Sequence, residues 1–430
     1  MSKCPHAGLI VTALSVAVLL CGIGVPSALA QQASAPAAAG EPTAAQKYKN
    51  IQVLKDLPAV QLHDAMTYMA ASMGGNCLTC HVRGADGEFA YEKDDNDHKV
   101  SARTMIQMVR AINEQHFKGE ERVSCATCHQ ARREPSPLPP LSQPLTPEQI
   151  AALPQRGGPR PGGAPGQPGG VPSQPGAPGQ TGASRPAAAP GQGGTPPPPG
   201  GGAGQGPRNQ RPTETVDQVL DKYVQALGGL DALQKLTSRV RRGTVTNRAG
   251  QSSPITIEET AAGLFRATIE SAPAASRAFD GKSGWVDSGG RVRDLDGVET
   301  ANAGLPADLA LGMRVKDGYA ALAVRAYSRV NGHDVVALEG RRSAIVAETL
   351  FFDRTSGLLI RRSASLRTPL GNLPVQIDYD DYRAVDGIQT PFEVRITDWE
   401  SVSVEKLAEV KFNQPVDPAR FAKPAPKSGF

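Results

Sequence analysis

Cys77-Leu78-Thr79-Cys80-His81 and Cys125-Ala126-Thr127-Cys128-His129 are two copies of one pattern, C-x-x-C-H, and its reading decides what the N-terminal part of the chain is. The pattern is the attachment signature of a c-type haem. Two thiols add across the haem vinyl groups as thioethers, and the two-residue spacing matches the distance between the vinyls. The histidine that follows at once is then placed beneath the ring as the proximal iron ligand. Other readings fit less well. A redox disulfide needs a thioredoxin-like βαβ context, which the flanking sequence lacks. One zinc held by both pairs would not require a histidine after each. Structural disulfides would not put His in the same slot twice. The expectation is two covalently bound c-type haems held by Cys77, Cys80, Cys125 and Cys128, with His81 and His129 as proximal ligands.

Those four are all the cysteines beyond the first thirty residues; the remaining two of the six, Cys4 and Cys21, lie within that leader. Residues 1–30 read as a secretory signal: Lys3 gives a positive start, Leu9 to Val25 is almost wholly apolar, and Ala28-Leu29-Ala30 resembles a cleavage site. The apolar run is short against the ~20 residues of a permanent span. An uncleaved anchor, and with it membrane association, stays open. Lipid attachment at Cys21 is disfavoured, because Leu20 stands where a small residue is expected. Export implies the periplasm, an oxidising compartment where spare thiols pair.

Outward from the motifs, the chain divides by composition. Residues 31–49 are an Ala-rich flexible leader, and 50–141 a mostly α-helical segment holding both motifs. Residues 142–212 turn to Pro, Gly, Gln and Ala, with Pro196-Pro197-Pro198-Pro199 and repeated Pro-Gly-Gln. That composition buries too little apolar surface to offset its ordering entropy and reads as a disordered tether. The tether would let the folded parts stand far apart, with at most a short helical turn at 147–153. Residues 213–430 form the last domain. Thr215-Val216-Asp217-Gln218 fits a capping box, and Val216, Val219, Leu220, Tyr223 and Leu227 follow at helical spacing up to Gly228-Gly229. The period then changes to two, in Val240–Val245, Pro254–Ile257, Leu264–Ile269 and Val375–Tyr379. Asp280-Gly281, Ser356-Gly357 and Asp386-Gly387 punctuate these as turns. One or two short helices are expected between Leu305 and Tyr327. Strand following strand without long helices between them favours an antiparallel sheet, so the fold class is multidomain, helical then α+β. The net charge of +4 is spread along the chain, which predicts no nucleic-acid partner.

The sixth iron ligand separates a carrier from an enzyme, since a strong ligand on both faces closes the iron to substrate. Pro58 to Met73 reads as a helix ended by Gly74-Gly75 and carries Met66, Met69 and Met73; Ser101 to Phe117 reads as a second, with Met105 and Met108. Methionine is also a common core filler, and His63, His98 and His116 are rival ligands, His116 the strongest of them. The choice among these stays open on the residues alone.

A helix bearing Met, then C-x-x-C-H, repeated, resembles the cytochrome subunit of bacterial photosynthetic reaction centres. The resemblance covers Asn50 to about Leu141, and Arg103-Thr104-Met105-Ile106-Gln107-Met108-Val109-Arg110-Ala111-Ile112-Asn113 is its most telling stretch. In that family the distal Met comes from the helix before its own motif. The resemblance therefore implies Met66 for the first iron and Met108 for the second, with Met105 the near alternative. It implies a carrier of single electrons rather than an enzyme, with periplasmic or membrane redox proteins as partners, such as a reaction-centre or respiratory complex. The family's photosynthetic members carry four haems, whereas this chain has motifs for two, so a photosynthetic role is an implication of the family alone. A di-haem peroxidase-like oxidoreductase with one open iron is the enzymatic alternative.

Residues 218–424 bear a weaker likeness to the lipoprotein-carrier family, whose fold is a curved antiparallel sheet around helices. The likeness rests on Ala278-Phe279-Asp280-Gly281 with Trp285, Phe352-Asp353 to Gly357-Leu358, and Asp381-Tyr382 to Asp386-Gly387. These are turn and core residues. A lipid-holding pocket and a plain docking or spacer domain are both compatible with them, and fold likeness does not carry function. Trp285 reads as core, and His333 as part of a turn, Asn331-Gly332-His333-Asp334.

Overall fold

The computed structural model describes residues 41–135, 212–306, 309 and 311–424, the side chains of 314, 316 and 317 excepted. The expected signal and the turn at 147–153 lie outside these residues, as does almost all of the expected tether. The described residues belong to one compact unit.

The helical segment holds α1 (Ala44–Lys47), α2 (Leu62–Ser72), α3 (Asp97–Phe117) and α4 (Cys125–His129). A 3₁₀ turn over Ala59–Gln61 occupies the start of the helix expected from Pro58, so regular α geometry begins only at Leu62. Helix α3 starts earlier than Ser101 because Asn96 caps it, its Oδ1 accepting from the His98 N–H at 3.0 Å. Leu54, Leu57, Leu62, Ala65 and Ile106 form a small core between α2 and α3, and Met66 and Met69 pack against it.

In the last domain, α5 (Val216–Leu227) has the expected capping box: Thr215 Oγ1 accepts from Gln218 N at 3.2 Å, and Gln218 Oε1 from Thr215 N at 2.8 Å. A short α6 (Leu230–Leu233) follows, then β1 (Ser238–Asn247), β2 (Ser252–Thr260), β3 (Phe265–Ile269), β4 (Ala275–Phe279), β5 (Gly284–Ser288) and β6 (Arg291–Leu295). Two helices come next, α7 (Gly297–Gly304) and α8 (Leu311–Gly318). The chain then returns through β7 (Ala320–Val330), β8 (His333–Arg341), β9 (Val346–Asp353), β10 (Leu359–Thr368), β11 (Gly371–Val385), β12 (Ile388–Thr397) and β13 (Val402–Phe412).

The strands form a single sheet in the order β6-β5-β4-β3-β2-β1-β13-β12-β11-β10-β9-β8-β7, every neighbouring pair antiparallel. Two meanders thus meet where the first strand pairs with the last. The edges β6 and β7 stay apart, so the sheet is open, and α7 and α8 carry the chain between them. At the β1–β13 seam the register slips between Arg242 and Gly243. A Cβ on Gly243 would lie 2.1 Å from the Lys406 carbonyl oxygen, so only glycine permits this approach.

Alternation along the strands puts one face inside. Leu338, Leu350, Phe352 and Leu359 from β8–β10 pack against Val219, Leu220, Tyr223 and Leu227 of α5, and burying each large apolar side chain contributes roughly 1.5–3 kcal/mol. The expected turn at Asp353–Gly357 is present: Asp353 Oδ1 accepts from Thr355 N (3.0 Å) and Ser356 N (2.5 Å), and Gly357 has φ +80°. Trp285 is buried, its Nε1–H donating to the Phe421 carbonyl at 2.8 Å.

Between Leu305 and Tyr327 the described residues hold α8, one of the one or two short helices expected there, and β7 already begins at Ala320. Three details differ from the sequence reading. Helix α7 was not expected. His333 opens β8 rather than sitting in the turn, which Asn331 (φ 49°) and Gly332 (φ 85°) make by themselves. The helical segment also lies on the sheet domain rather than apart from it. Tyr68 of α2 is 4% exposed and packs among Val298, Leu305, Leu366 and Leu373. Apolar surface on both sides of that contact is the physical reason.

Candidate functional site: two cysteine–histidine turns

The two motifs fold on one plan. Cys77–Thr79 forms a 3₁₀ turn and Cys125–His129 the short helix α4, each opened by a polar cap, Asn76 or Ser124. In both, the threonine before the second cysteine reaches back: Thr79 Oγ1 accepts from Asn76 N at 3.0 Å, and Thr127 Oγ1 from Ser124 N at 3.0 Å. This back-bond closes the start of each turn. Thr79 and Thr127 were present in the sequence as C-x-T-C-H, but only the fold shows their work.

The four cysteines are free thiols. Burial pushes the Cys80 and Cys125 thiols up, so both rest protonated. Among the described residues no three His, Cys, Asp or Glu side chains converge as a cage for a metal ion.

The histidines differ in surroundings. His129 Nδ1 lies 3.1 Å from the carbonyl oxygens of both Arg132 and Arg133. Carbonyls only accept, so Nδ1 carries a proton, and in the neutral ring the lone pair is left on Nε2. That is the tautomer an iron-ligating imidazole requires, held by the ring N–H to carbonyl bond such ligands typically make. The turn that delivers those carbonyls needs left-handed backbone at Gln130 (φ 49°) and Ala131 (φ 58°), and Ala131 N donates to Ser72 O of α2 at 2.8 Å. His81 stands edge-on to Tyr91, ring centroids 5.0 Å apart at 78°, and Phe89 stacks on Tyr91 at 5.2 Å. Its Nδ1 is buried without a hydrogen-bond partner. Burial, and then the Lys99 charge, lower its pKa, so the ring is neutral at pH 7 and ready to ligate. His81 Nδ1 thus lacks the carbonyl partner that fixes the tautomer at His129. The donor set, two thiols and one imidazole in each turn, suits a covalently attached haem.

Residues that sequence reasoning passed over hold these turns in place. Asn113, near the end of α3 and 7% exposed, donates from Nδ2 to Val123 O (2.7 Å) and accepts at Oδ1 from Arg122 N (3.1 Å) and Val123 N (2.9 Å). It fixes the strand of chain leading into Cys125. Tyr68 Oη donates to Ser124 Oγ at 2.8 Å. Asp94 receives Arg103 through both carboxylate oxygens (2.9 and 2.8 Å) and Lys99 at 3.0 Å; hydrogen bonds from Arg103, Lys99 and Asn50 hold its carboxyl far below the usual range. The only clue in the sequence was a polar Asn113 on an otherwise apolar helix face.

A mainly apolar cavity of about 230 Å³ brings much of the segment together. Met69 and Met73 of α2, His98 and Met105 of α3, and Cys125 and His129 of the second motif line it, and Thr79 of the first motif also reaches it. Met66 packs instead into the α2–α3 core, and Met108 is 43% exposed; neither lines the cavity. His63 and His116 are exposed as well.

The sheet domain has its own cavity, about 90 Å³, lined by Tyr223, Leu227, Tyr382, Arg239, Arg241 and Glu405 among others. Its charges are already engaged. Arg239 bonds Glu259 at 2.7 and 3.0 Å, and Arg241 lies 3.1 Å from Glu259 and 3.6 Å from Glu405. Burial pushes the Glu405 carboxyl up.

The fold and the turns together define a chain with a twice-repeated thiol–imidazole site beside an open antiparallel sheet. Comparison with known proteins then places one part of it. Residues 23–146 match the family described as photosynthetic reaction centre cytochrome C subunit. Over 106 residues the chain is 38% identical to the photosynthetic reaction center cytochrome c subunit of Roseobacter denitrificans, covering 23% of this chain and 28% of that protein. Over 100 residues it is 35% identical to the subunit of the same description from Thermochromatium tepidum, covering 22% and 23%. The chain therefore spans only about a quarter of the length of these relatives. Among solved structures, a DUF1329 family protein from Desulfovibrio piger aligns over 49% of this chain and 98% of its own, at 13% identity and TM-score 0.35. A LolA superfamily protein from Nitrosomonas europaea aligns over 49% and 99%, at 14% and 0.34.

Proposed function

We propose that this chain is a periplasmic di-haem c-type cytochrome that carries single electrons. Cys77 with Cys80 and Cys125 with Cys128 form the thioethers, and His81 and His129 are the proximal ligands. The observation that carries the reading is His129, whose Nδ1–H is committed to two carbonyls while Nε2 is left to bind iron. A haem bound there would supply a one-electron iron couple. The chain's own residues orient the imidazole and line its cavity with methionine and aliphatic side chains. Low polarity of this kind, with a methionine thioether beside it, would favour the reduced form of such a couple.

For the distal position at the second site we propose Met105 over Met108, because Met105 lines the cavity with His129. Met66 remains the proposal for the first site, on its spacing to Cys77. Export through residues 1–30, a redox partner at the membrane and a photosynthetic or respiratory setting belong to the same proposal. The lipid-binding alternative has less support: a cavity of about 90 Å³ is well below the ~300–1,000 Å³ of small-molecule pockets. The test is the near-infrared spectrum of the oxidised, periplasm-expressed protein, which is expected to show a methionine-to-iron charge-transfer band that Met105→Ala weakens. Two haems without that band would return the peroxidase-like alternative, with one open iron.

A further inference from the structure

The contact between the helical segment and the sheet is built from both sides, and it converges on the second motif. On the sheet side, the β10–β11 hairpin ends in Thr368-Pro369-Leu370-Gly371. Leu370 packs at once against the sheet's cluster around Leu366 and Leu373 and against the α2–α3 core around Leu54 and Ile106. Gly371 has φ +152°, and a Cβ there would lie 2.3 Å from Tyr68 Cζ, so the hairpin admits the Tyr68 ring only because no side chain is present.

Helix α7 makes the second contact. Its own cap residue, Asp296, makes no side-chain cap bond. Asp64 of α2 takes that place from the other domain, its Oδ1 accepting from the Val298 N–H at 3.1 Å, and Asp64 is 6% exposed. A carboxylate at a helix N-terminus meets both a free donor and the positive end of the dipole. From this seat the contacts run onward to the second motif. Tyr68 Oη donates to Ser124 Oγ, Ser72 O accepts from Ala131 N beyond His129, and Cys125 itself packs against the sheet's cluster.

We infer that the C-terminal domain is an intramolecular seat for the second haem-binding turn: the β10–β11 hairpin and α7 grip α2, and α2 holds Cys125 and His129 in place. The sheet then braces the second site from behind α2 and Cys125, without itself lining the cavity. The first motif, with Tyr91 and Phe89, has no contact of this kind in the clusters that join the domains. The two sites therefore differ in how far they depend on the sheet. The part of this inference that concerns the haem rests on the proposed function; the docking itself does not.

The experiment inserts a specific protease site between residues 157 and 206 of the full chain, cleaves it, and follows both fragments by size-exclusion chromatography. The fragments are expected to co-elute at micromolar concentration, and Leu370→Asp is expected to separate them. Tyr68→Ala, made from the opposite side of the contact, serves as the second variant in case the hairpin misfolds, with far-ultraviolet circular dichroism as the check on folding. In the uncleaved protein, Leu370→Asp is expected to shift the midpoint potential of one haem and leave the other where it was. Fragments of the unaltered sequence that separate on cleavage would overturn the inference, as would equal shifts at both haems. An intact mass lacking haem would instead sink the electron-carrier reading and leave co-elution as a separate result.

Discussion

Replacing Asn113 by alanine removes three hydrogen bonds at once, all to the two residues that precede Ser124 and Cys125. Each is a neutral bond worth about 1 kcal/mol net, which gives about 3 kcal/mol if water cannot replace any of them. Arg122 is exposed and Val123 half-buried, so water recovers part of the loss, and about 2 kcal/mol of local opening free energy is the expected cost. That corresponds to roughly a 30-fold loss of protection at the Arg122 and Val123 amides, since 1.4 kcal/mol is tenfold. Native-state hydrogen exchange reads those two amides directly and needs no haem. Asn113→Asp keeps an oxygen to accept from both N–H groups and is expected to preserve most of their protection, losing only the bond to Val123 O. Unchanged protection in Asn113→Ala would refute the reasoning. So would an aspartate variant as exposed as the alanine one, because acceptance by Oδ1 would then not be what orders the loop.

Other outcomes follow from the sheet. Glu259→Gln leaves Arg239 without its buried counter-charge and Arg241 with Glu405 alone, and is expected to cost about 3 kcal/mol, measured as a lower urea midpoint of the β signal. Burial pushes the Glu259 and Glu348 carboxyls up, but the arginines beside them outweigh it and hold both below their usual value of 4.5. Their contribution is therefore present above that value and lost as pH falls through the lower folded pKa, so the thermal midpoint is expected to drop on acidification below about 4.5. Glu259→Gln should flatten that drop, and an unchanged acid limb would contradict the assignment. Gly243→Ala drives a methyl group into the Lys406 carbonyl and is expected to destabilise the sheet by about 2 kcal/mol or more. A denaturation midpoint equal to that of the unaltered chain would show that the β1–β13 seam yields freely.

What was legible in the sequence was whatever local pattern encodes. The α5 capping box, the strands at period two and the Asp353–Gly357 turn each depend on a few neighbouring residues, and each is present as read. The start of α3 was misread because the Asn96 cap lies four residues before the apolar face begins. The pairing of β1 with β13 joins positions far apart in the chain, and no periodicity announces it. The site was half legible. The C-x-x-C-H pattern marked its thiols and imidazoles, but which methionines face His129 depends on the crossing of α2 and α3. The spacing along one helix left Met105 and Met108 open, and the family resemblance that implied Met108 carries no information about that crossing. The seat for α2 was illegible for the same reason: Asp64, Tyr68, Leu370 and Gly371 become partners only when a helix and a distant hairpin meet.

The most direct test of the central claim is the intact mass of the exported protein under denaturing conditions, where only covalently attached groups remain. The account predicts a mass increase of two haems for the unaltered chain and of one for Cys125→Ser with Cys128→Ser. An exported protein with no added mass at all would contradict it.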